Sequence, residues 1–448
     1  MKIKFPTQLL LAALVALILT TASFAQAFDR VERDRMKGIL SNLKSAIKNN
    51  YYDPTYHGID LDARFKTASE KLDSVTSVGQ AYAVIAQVLV DFNDSHLYFM
   101  PPATTLEVEY GFRMKMIGDR AFVTSVKPKS DAEAKGLRRG DWIVSFDGFR
   151  PNRKELWKVQ YSYITLRPRS SLRLEVVHPG ADTSSEIAFA AKVTTKQRTV
   201  NLTNTFDAND VWRDMENATS RAVHYFAKTN DTVIWKMRTF AIEPTQIGEL
   251  MNSEVRKRQN LILDLRGNGG GYVKTLEELA GYLFDKNLKI ADRKGRPDKK
   301  RENEPIMLKS RGKDVFSGKL VVLVDHQSGS ASELFARLVQ LEKRGVVIGD
   351  TSAGAVMQAI SYPFTMVIGI NREIGYGASI TDADLIMSDG KSIEHVGVIP
   401  DETVLPTAED ISLGRDPVLS RAVQILGGQL TPDAAGKMFA KADEWEDN

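Results

Sequence analysis

The chain has 448 residues, with 60 lysines and arginines against 57 acids, six histidines and no cysteine. The missing thiols exclude cysteine nucleophiles, cysteine-ligated metals and disulfide cross-links. A formal charge of +3 is close to neutral and gives no electrostatic case for nucleic acid.

Residues 1–27 read as a secretory signal. Lys2 and Lys4 give the positive start, Leu9 to Leu19 the apolar stretch, and Ala25-Gln26-Ala27 the small-residue cleavage site. The stretch is short for a spanning helix, and no later segment is long enough. The expectation is an exported protein, periplasmic or secreted, without a stable membrane span in its mature chain. Residues 28–105 carry helical spacing, with Val31, Met36, Leu40, Leu43 and Ile47 on one stripe and a second helix over Ala81 to Phe92. Pro101-Pro102 closes this helical domain.

Residues 106–194 alternate short β-like runs with turns, among them Ala121-Phe122-Val123, Trp142 to Phe146 and Leu172 to Val177. Residues 195–405 make up the next domain, and from about Thr232 its rhythm becomes strand and helix in alternation. Strands are expected at Val233–Met237, Leu261–Leu265, Leu320–Val324 and Val346–Gly349, with helices at Pro244–Arg256, Tyr272–Phe284 and Ser332–Lys343. That alternation predicts an α/β layer with a largely parallel sheet. The basic run Arg293 to Arg301 reads as a solvated loop. Residues 406–448 read as a polar tail with one short helix, Pro417 to Leu426, and a frayed acidic end.

Two strand ends carry the chemistry. Leu261 to Leu265 runs into Arg266-Gly267-Asn268-Gly269-Gly270-Gly271, and Val321 to Val324 runs into Asp325-His326-Gln327-Ser328-Gly329-Ser330-Ala331-Ser332-Glu333. Ligands of open parallel sheets sit outside the carboxyl ends of the strands. A glycine-rich end beside a serine at a helix start suits an oxyanion and a nucleophile. Ser330-Ala331-Ser332-Glu333 also has the form of a capping box, and the two roles are compatible. The glycine run lacks the Gly-Lys-Ser/Thr of a phosphate-binding loop, and no histidine pair has metal-ligand spacing, so no cofactor and no metal are expected.

The β-rich segment, with Tyr110-Gly111-Phe112-Arg113, Val123 to Val126, Ala132 to Leu137 and Gly140 to Gly148, resembles a bacterial PDZ domain. Such domains bind an extended chain by strand addition and hold its terminal carboxylate. Asp264 to Gly271 and Ser330 to Glu333 resemble the C-terminal processing (tail-specific) serine peptidases. The resemblance implies a crotonase/Clp-protease-like ββα core, an inserted PDZ domain and a helical N-terminal domain, acting on polypeptides, by way of a free C-terminus where one is offered. It makes Tyr110, Gly111, Phe112 and Arg113 the peptide-binding group and leaves oligomerisation open.

One departure decides the site. The processing peptidases use a serine–lysine dyad, yet Ala355 stands where that lysine should be, and no lysine occurs between Lys343 and Lys391. The tricorn-like branch instead resembles a serine–histidine arrangement. Asp94-Ser95-His96-Leu97 and Ile393-Glu394-His395-Val396-Gly397 match its two segments. The resemblance implies Ser330 as nucleophile, His96 as base, and Ser95 and Glu394 as its orienting partners. The amides of Ala331 and of Gly269 or Gly270 would form the oxyanion hole. His326, four residues before Ser330, is the rival base. His395 would point away from Glu394's side if that segment is extended, and His57, His178 and His224 read as structural. The rival function is a peptidase-like binding or scaffold protein without activity.

Overall fold

A computed structural model describes residues 28–102, 106–195, 223–299, 303–369, 372–440 and 445. Residues 1–27, read from the sequence as a signal, and much of the approach to the α/β core lie outside them.

Three helices open the described chain: α1 (Arg30–Asn50), α2 (Leu61–Leu72) and α3 (Val78–Val90). Asp29, Asp60 and Ser77 cap them, each accepting an amide of the first turn, which satisfies a donor that has no partner inside the helix. Strand β1 (Tyr98–Met100) follows, then β2 (Leu106–Glu109) and the module that begins at β3 (Phe112–Ile117). This module continues through β4 (Arg120–Val126), the short helix α4 (Asp131–Ala134), β5 (Trp142–Phe146), helix α5 (Leu156–Gln160), β6 (Ser171–Val177) and β7 (Ser185–Ala190). Strands β3 to β7 form an antiparallel sheet in chain order around its own core, which includes Val123, Ile143, Leu174 and Val176. Strand β8 (Lys192–Thr195) pairs back with β2, tying the two ends of the module together.

The core proper runs β9 (His224–Thr229), β10 (Thr232–Met237), α6 (Pro244–Leu250), β11 (Asn260–Asp264), α7 (Val273–Gly281), β12 (Leu288–Gly295), β13 (Ile306–Leu308) and β14 (Lys319–Val324). Helix α8 (Ala331–Leu341), β15 (Val346–Gly349), β16 (Met357–Gly369), β17 (Arg372–Met387) and β18 (Glu402–Thr403) complete it. The main sheet has the order β18-β15-β14-β11-β10-β9, parallel except for the β9–β10 pair. Its strands are apolar on both faces, because helices cover both. On one side α7 and α8 pack against Trp235, Leu263, Val322 and Val347. A second sheet, built on β17 with β1, β12 and β16, carries the N-terminal helices, whose core includes Tyr376, Ala378 and Ile380 of β17.

Two expectations are corrected, and one element is new. Residues 406–440 form α9 (Ala408–Leu413), α10 (Pro417–Ile425) and α11 (Pro432–Lys437), so the expected short helix is one of three in a packed region rather than part of a polar tail. Val418, Leu419, Ala422 and Val423 of α10 cover Ile234, Ile262, Val321 and Leu323 on the other face of the main sheet. A parallel sheet needs that cover, and Arg266 fastens it by bridging buried Asp264 to the α10 cap Asp416 (2.7 and 2.8 Å). The start of the basic run, Arg293 to Gly295, is strand paired with β17 and not loop. The β16–β17 hairpin was not anticipated. The expected frayed acidic end lies outside the described residues except for Trp445.

Leu419→Ala should lower the unfolding free energy by about 2–5 kcal/mol in urea titration, the range for deleting a buried leucine side chain. A change within the error of the titration would return α10 to the status of an appendage.

Candidate active site

Strand β14 ends at Val324, and the chain turns through Asp325 to Ser330 before entering α8. Ser330 has φ 52° and ψ −116°, a conformation that costs a non-glycine residue roughly 1–3 kcal/mol. Its surroundings hold it there. Its N–H donates to Ala355 O (2.8 Å) and to the Glu333 carboxylate (3.0 Å), so the glutamate half of the predicted box is present. Glu333 is fully buried and also accepts from Ser352 Oγ (2.5 Å), Gly354 N (2.7 Å) and Ala355 N (3.0 Å). Burial pushes its carboxyl up to about 7, while these four donors pull the other way.

The glycine-rich end of β11 lies directly on this serine. Gly329 N donates to Asn268 O (3.0 Å) and Ser332 Oγ to the same oxygen (2.9 Å). Gly270 has φ 101°, and a Cβ there would stand 2.7 Å from Ser330 Cβ, so only glycine fits. The Gly270 amide is already spent on Asn268 Oδ1 (2.9 Å), whereas the exposed Gly269 has no acceptor for its amide among the described residues. The amide of Ala331, the first residue of α8, has no acceptor inside its helix. Asn268 was not singled out from the sequence; its place inside a glycine run was the available signal. Its Nδ2 donates to Met237 O (3.0 Å), anchoring the loop to the neighbouring strand.

The second group comes from the far ends of the chain. Ser95 Oγ donates to Glu394 Oε2 (2.9 Å), Ser95 N donates to Glu394 Oε1 (3.0 Å), and Ser95 Oγ lies 2.8 Å from His96 Nδ1. The hydroxyl has one proton, and it goes to the carboxylate, so Nδ1 must carry the proton of the 2.8 Å contact. Nε2 is then left with its lone pair. Asp94 fixes the turn by accepting from His96 N (2.9 Å), Thr381 Oγ1 (2.7 Å) and Tyr51 O–H (3.0 Å), none of which the sequence pointed to. Burial holds the His96 pKa below the usual histidine value, partly offset by the charges of Glu394 and Asp94.

The two groups meet on one loop. Ser330 is bonded to Ala355, and the next residue, Val356, donates its N–H to Glu394 Oε2 (2.7 Å). No hydrogen bond joins Ser330 to His96 among the described residues; such contacts commonly tighten only in the substrate complex. Ala355 offers a methyl group where a lysine dyad would need an amine.

The remaining histidines have other partners. His326 Nε2 accepts from Met116 N of β3 (3.2 Å), which commits the rival base to holding the β-rich module against the core. Lys115–Asp325 (3.2 Å) and Gly118 N–Asp350 (2.9 Å) reinforce that contact. His395 sits at φ 60°, so its segment is not extended; its Nε2 meets Asn93 O at 2.7 Å and lies 3.5 Å from Glu394. His57 bonds Tyr52 (2.8 Å), His178 bonds Asp141 (2.7 Å) and His224 accepts from Trp235 (3.2 Å). Tyr110 bonds the end of α5's continuation through Tyr163 O (3.1 Å), Gly111 turns with φ 74°, and Phe112 and Arg113 begin the edge strand β3.

Residues 234–404 match peptidase family S41, and residues 108–189 match the PDZ domain. The chain is 25% identical over 386 residues to the chloroplastic C-terminal processing peptidase of Tetradesmus obliquus, covering 81% of this chain and 76% of that protein. It is 25% identical over 353 residues to the carboxy-terminal processing protease CtpB of Bacillus subtilis (strain 168), covering 76% of this chain and 64% of that protein. Among solved structures, mature CPAF superposes with a TM-score of 0.61 at 15% identity, over 85% of this chain and 94% of that one, a likeness of fold. Fold and family together define a serine-type peptidase with a PDZ domain in an α/β core. Residues 234–404 are a family S41 peptidase domain.

His96 should be neutral at pH 7, with its proton on Nδ1, and should titrate below the ordinary value of ~6.5. Nitrogen-15 NMR of the imidazoles reads both. A proton on Nε2, or a midpoint above that value, would break the assignment.

Proposed function

We propose that this peptidase is an exported serine endopeptidase of the serine–histidine kind, with Ser330 as nucleophile and His96 as base. The observation that carries the reading is the unbroken line Glu394–Ser95–His96, which leaves Nε2 as the basic nitrogen. In the first step Ser330 Oγ attacks the scissile carbonyl while its proton passes to His96 Nε2. The Ser95–Glu394 pair bears the imidazolium charge that results, and the oxyanion is held by the amides of Ala331 and Gly269. Of the two glycines considered, Gly269 is favoured because the Gly270 amide is engaged by Asn268. His96 then hands its proton to the leaving amine, and the acyl-enzyme is released by water that the same imidazole deprotonates. One oxyanion donor is worth about 2.7–4 kcal/mol in such sites.

The PDZ domain presents extended substrate by strand addition at β3, with Tyr110, Gly111, Phe112 and Arg113 at its mouth, through a free C-terminus where the substrate has one. Export is supported by the N-terminal signal pattern, and no helix among the described residues is long and apolar enough to cross a membrane. The lysine of the processing peptidases is replaced in this reading by an imidazole reaching the serine from a different part of the chain.

Fluorophosphonate labelling of the purified protein tests the assignment. Ser330→Ala should abolish labelling, and His96→Ala should slow it by about 10²–10⁴, the usual worth of a positioned general base. His326→Ala should label close to the wild-type rate. A silent His96→Ala with a deficient His326→Ala would transfer the role to His326, and an unreactive wild type would favour the scaffold reading.

A further inference from the structure

Between the PDZ module and the core lies a groove of about 700 Å³ whose lining includes several lysines and arginines. Lys115, Lys236, Arg266 and Arg415 are already bridged to Asp325, Asp264, Asp416 and Asp433, and Arg113, Arg139 and Arg238 complete the basic lining. One wall is β3, whose sole strand partner among the described residues is β4, so its other edge faces the groove. Met116 N points away from β4, towards His326, and alternation along a strand turns the amides of Phe112 and Met114 the same way. The groove thus offers strand-edge donors beside arginine side chains, which is the chemistry that holds an acidic extended chain.

The chain supplies such a segment itself. Trp445 is flanked by Asp443, Glu444, Glu446 and Asp447. Its indole ring lies under the Arg113 guanidinium at 4.3 Å from the ring centroid, and Lys127 Nζ is 5.8 Å from the same ring. Ala440, at the end of the helical C-terminal region, lines the groove as well. An indole under a guanidinium holds a segment weakly on its own but sets its register when opposite charges meet around it.

We propose that the groove is the docking site of the chain's own acidic segment Asp443–Asp447, anchored by Trp445 on Arg113, so that an incoming polypeptide must displace it from β3. The ligand class is an acidic chain with an aromatic residue, in this molecule provided in cis. The inference rests on the groove and the tail, not on the chemistry at Ser330. A variant that fails to bind peptide therefore leaves the fluorophosphonate result untouched.

The test uses a fluorescent peptide of residues 439–448 and three proteins: the full chain, a variant ending at Ala440, and full-length Trp445→Ala. Anisotropy titration should show the Ala440 variant binding the peptide and the full chain binding it roughly tenfold or more weaker, because a tethered occupant competes at high effective concentration. Trp445→Ala should recover much of the binding, and Arg113→Ala in the shortened chain should lose it. Added salt should weaken the interaction. Equal affinity for the full and shortened chains, or no binding by the shortened chain with its circular dichroism unchanged, would overturn the proposal.

Discussion

The site depends on one buried carboxylate. Glu333 gathers the Ser330 amide, two amides of the 354–355 turn and the Ser352 hydroxyl, and so holds a strained serine against the loop that also reaches Glu394. Four donors converging on one carboxyl fix its position and that of Ser330, although burial still leaves the group raised to about 7. Ser352 passes the constraint on by accepting Val398 N (2.6 Å), which anchors the stretch following Glu394 and His395. Gly354 is needed where these segments cross, since a Cβ there would press on the backbone of residues 395–397 at 3.0–3.1 Å.

From that clamp the rest of the geometry follows. The parallel sheet delivers the β11 and β14 ends side by side, and the glycines at 269 and 270 let one backbone lie on the other. The second sheet brings β1 and its preceding turn against β17, which carries Thr381, the acceptor-fixing partner of Asp94. His96 is therefore placed by the packing of the helical domain on β17, not by anything local to the serine. The PDZ module is joined to the same loops, through His326 just before the nucleophile and Asp350 just after β15.

Much of this was legible in the sequence because apolar runs ending in glycine or serine mark buried parallel strands. Ser330 and the glycine loop could be placed from such runs alone. Ser95 and Glu394 are 299 residues apart, and only the resemblance paired them; no periodicity relates positions that meet through two sheets. The choice between Gly269 and Gly270 was invisible, since it turns on where the Asn268 side chain points. Helix α10 was seen as a helix but not as the cover of a sheet face, because a short apolar stripe among polar residues does not reveal what it packs on. The β16–β17 hairpin was missed for a related reason: Ile360 is exposed, a proline (Pro363) sits inside the strand, and its alternation is weak.

The most direct measurement is chemical rescue of His96→Gly, following fluorophosphonate labelling with and without added imidazole. The account predicts slow labelling that free imidazole restores, because the cavity left beside Ser95 accepts the missing base. Labelling of His96→Gly at the wild-type rate without imidazole would contradict it.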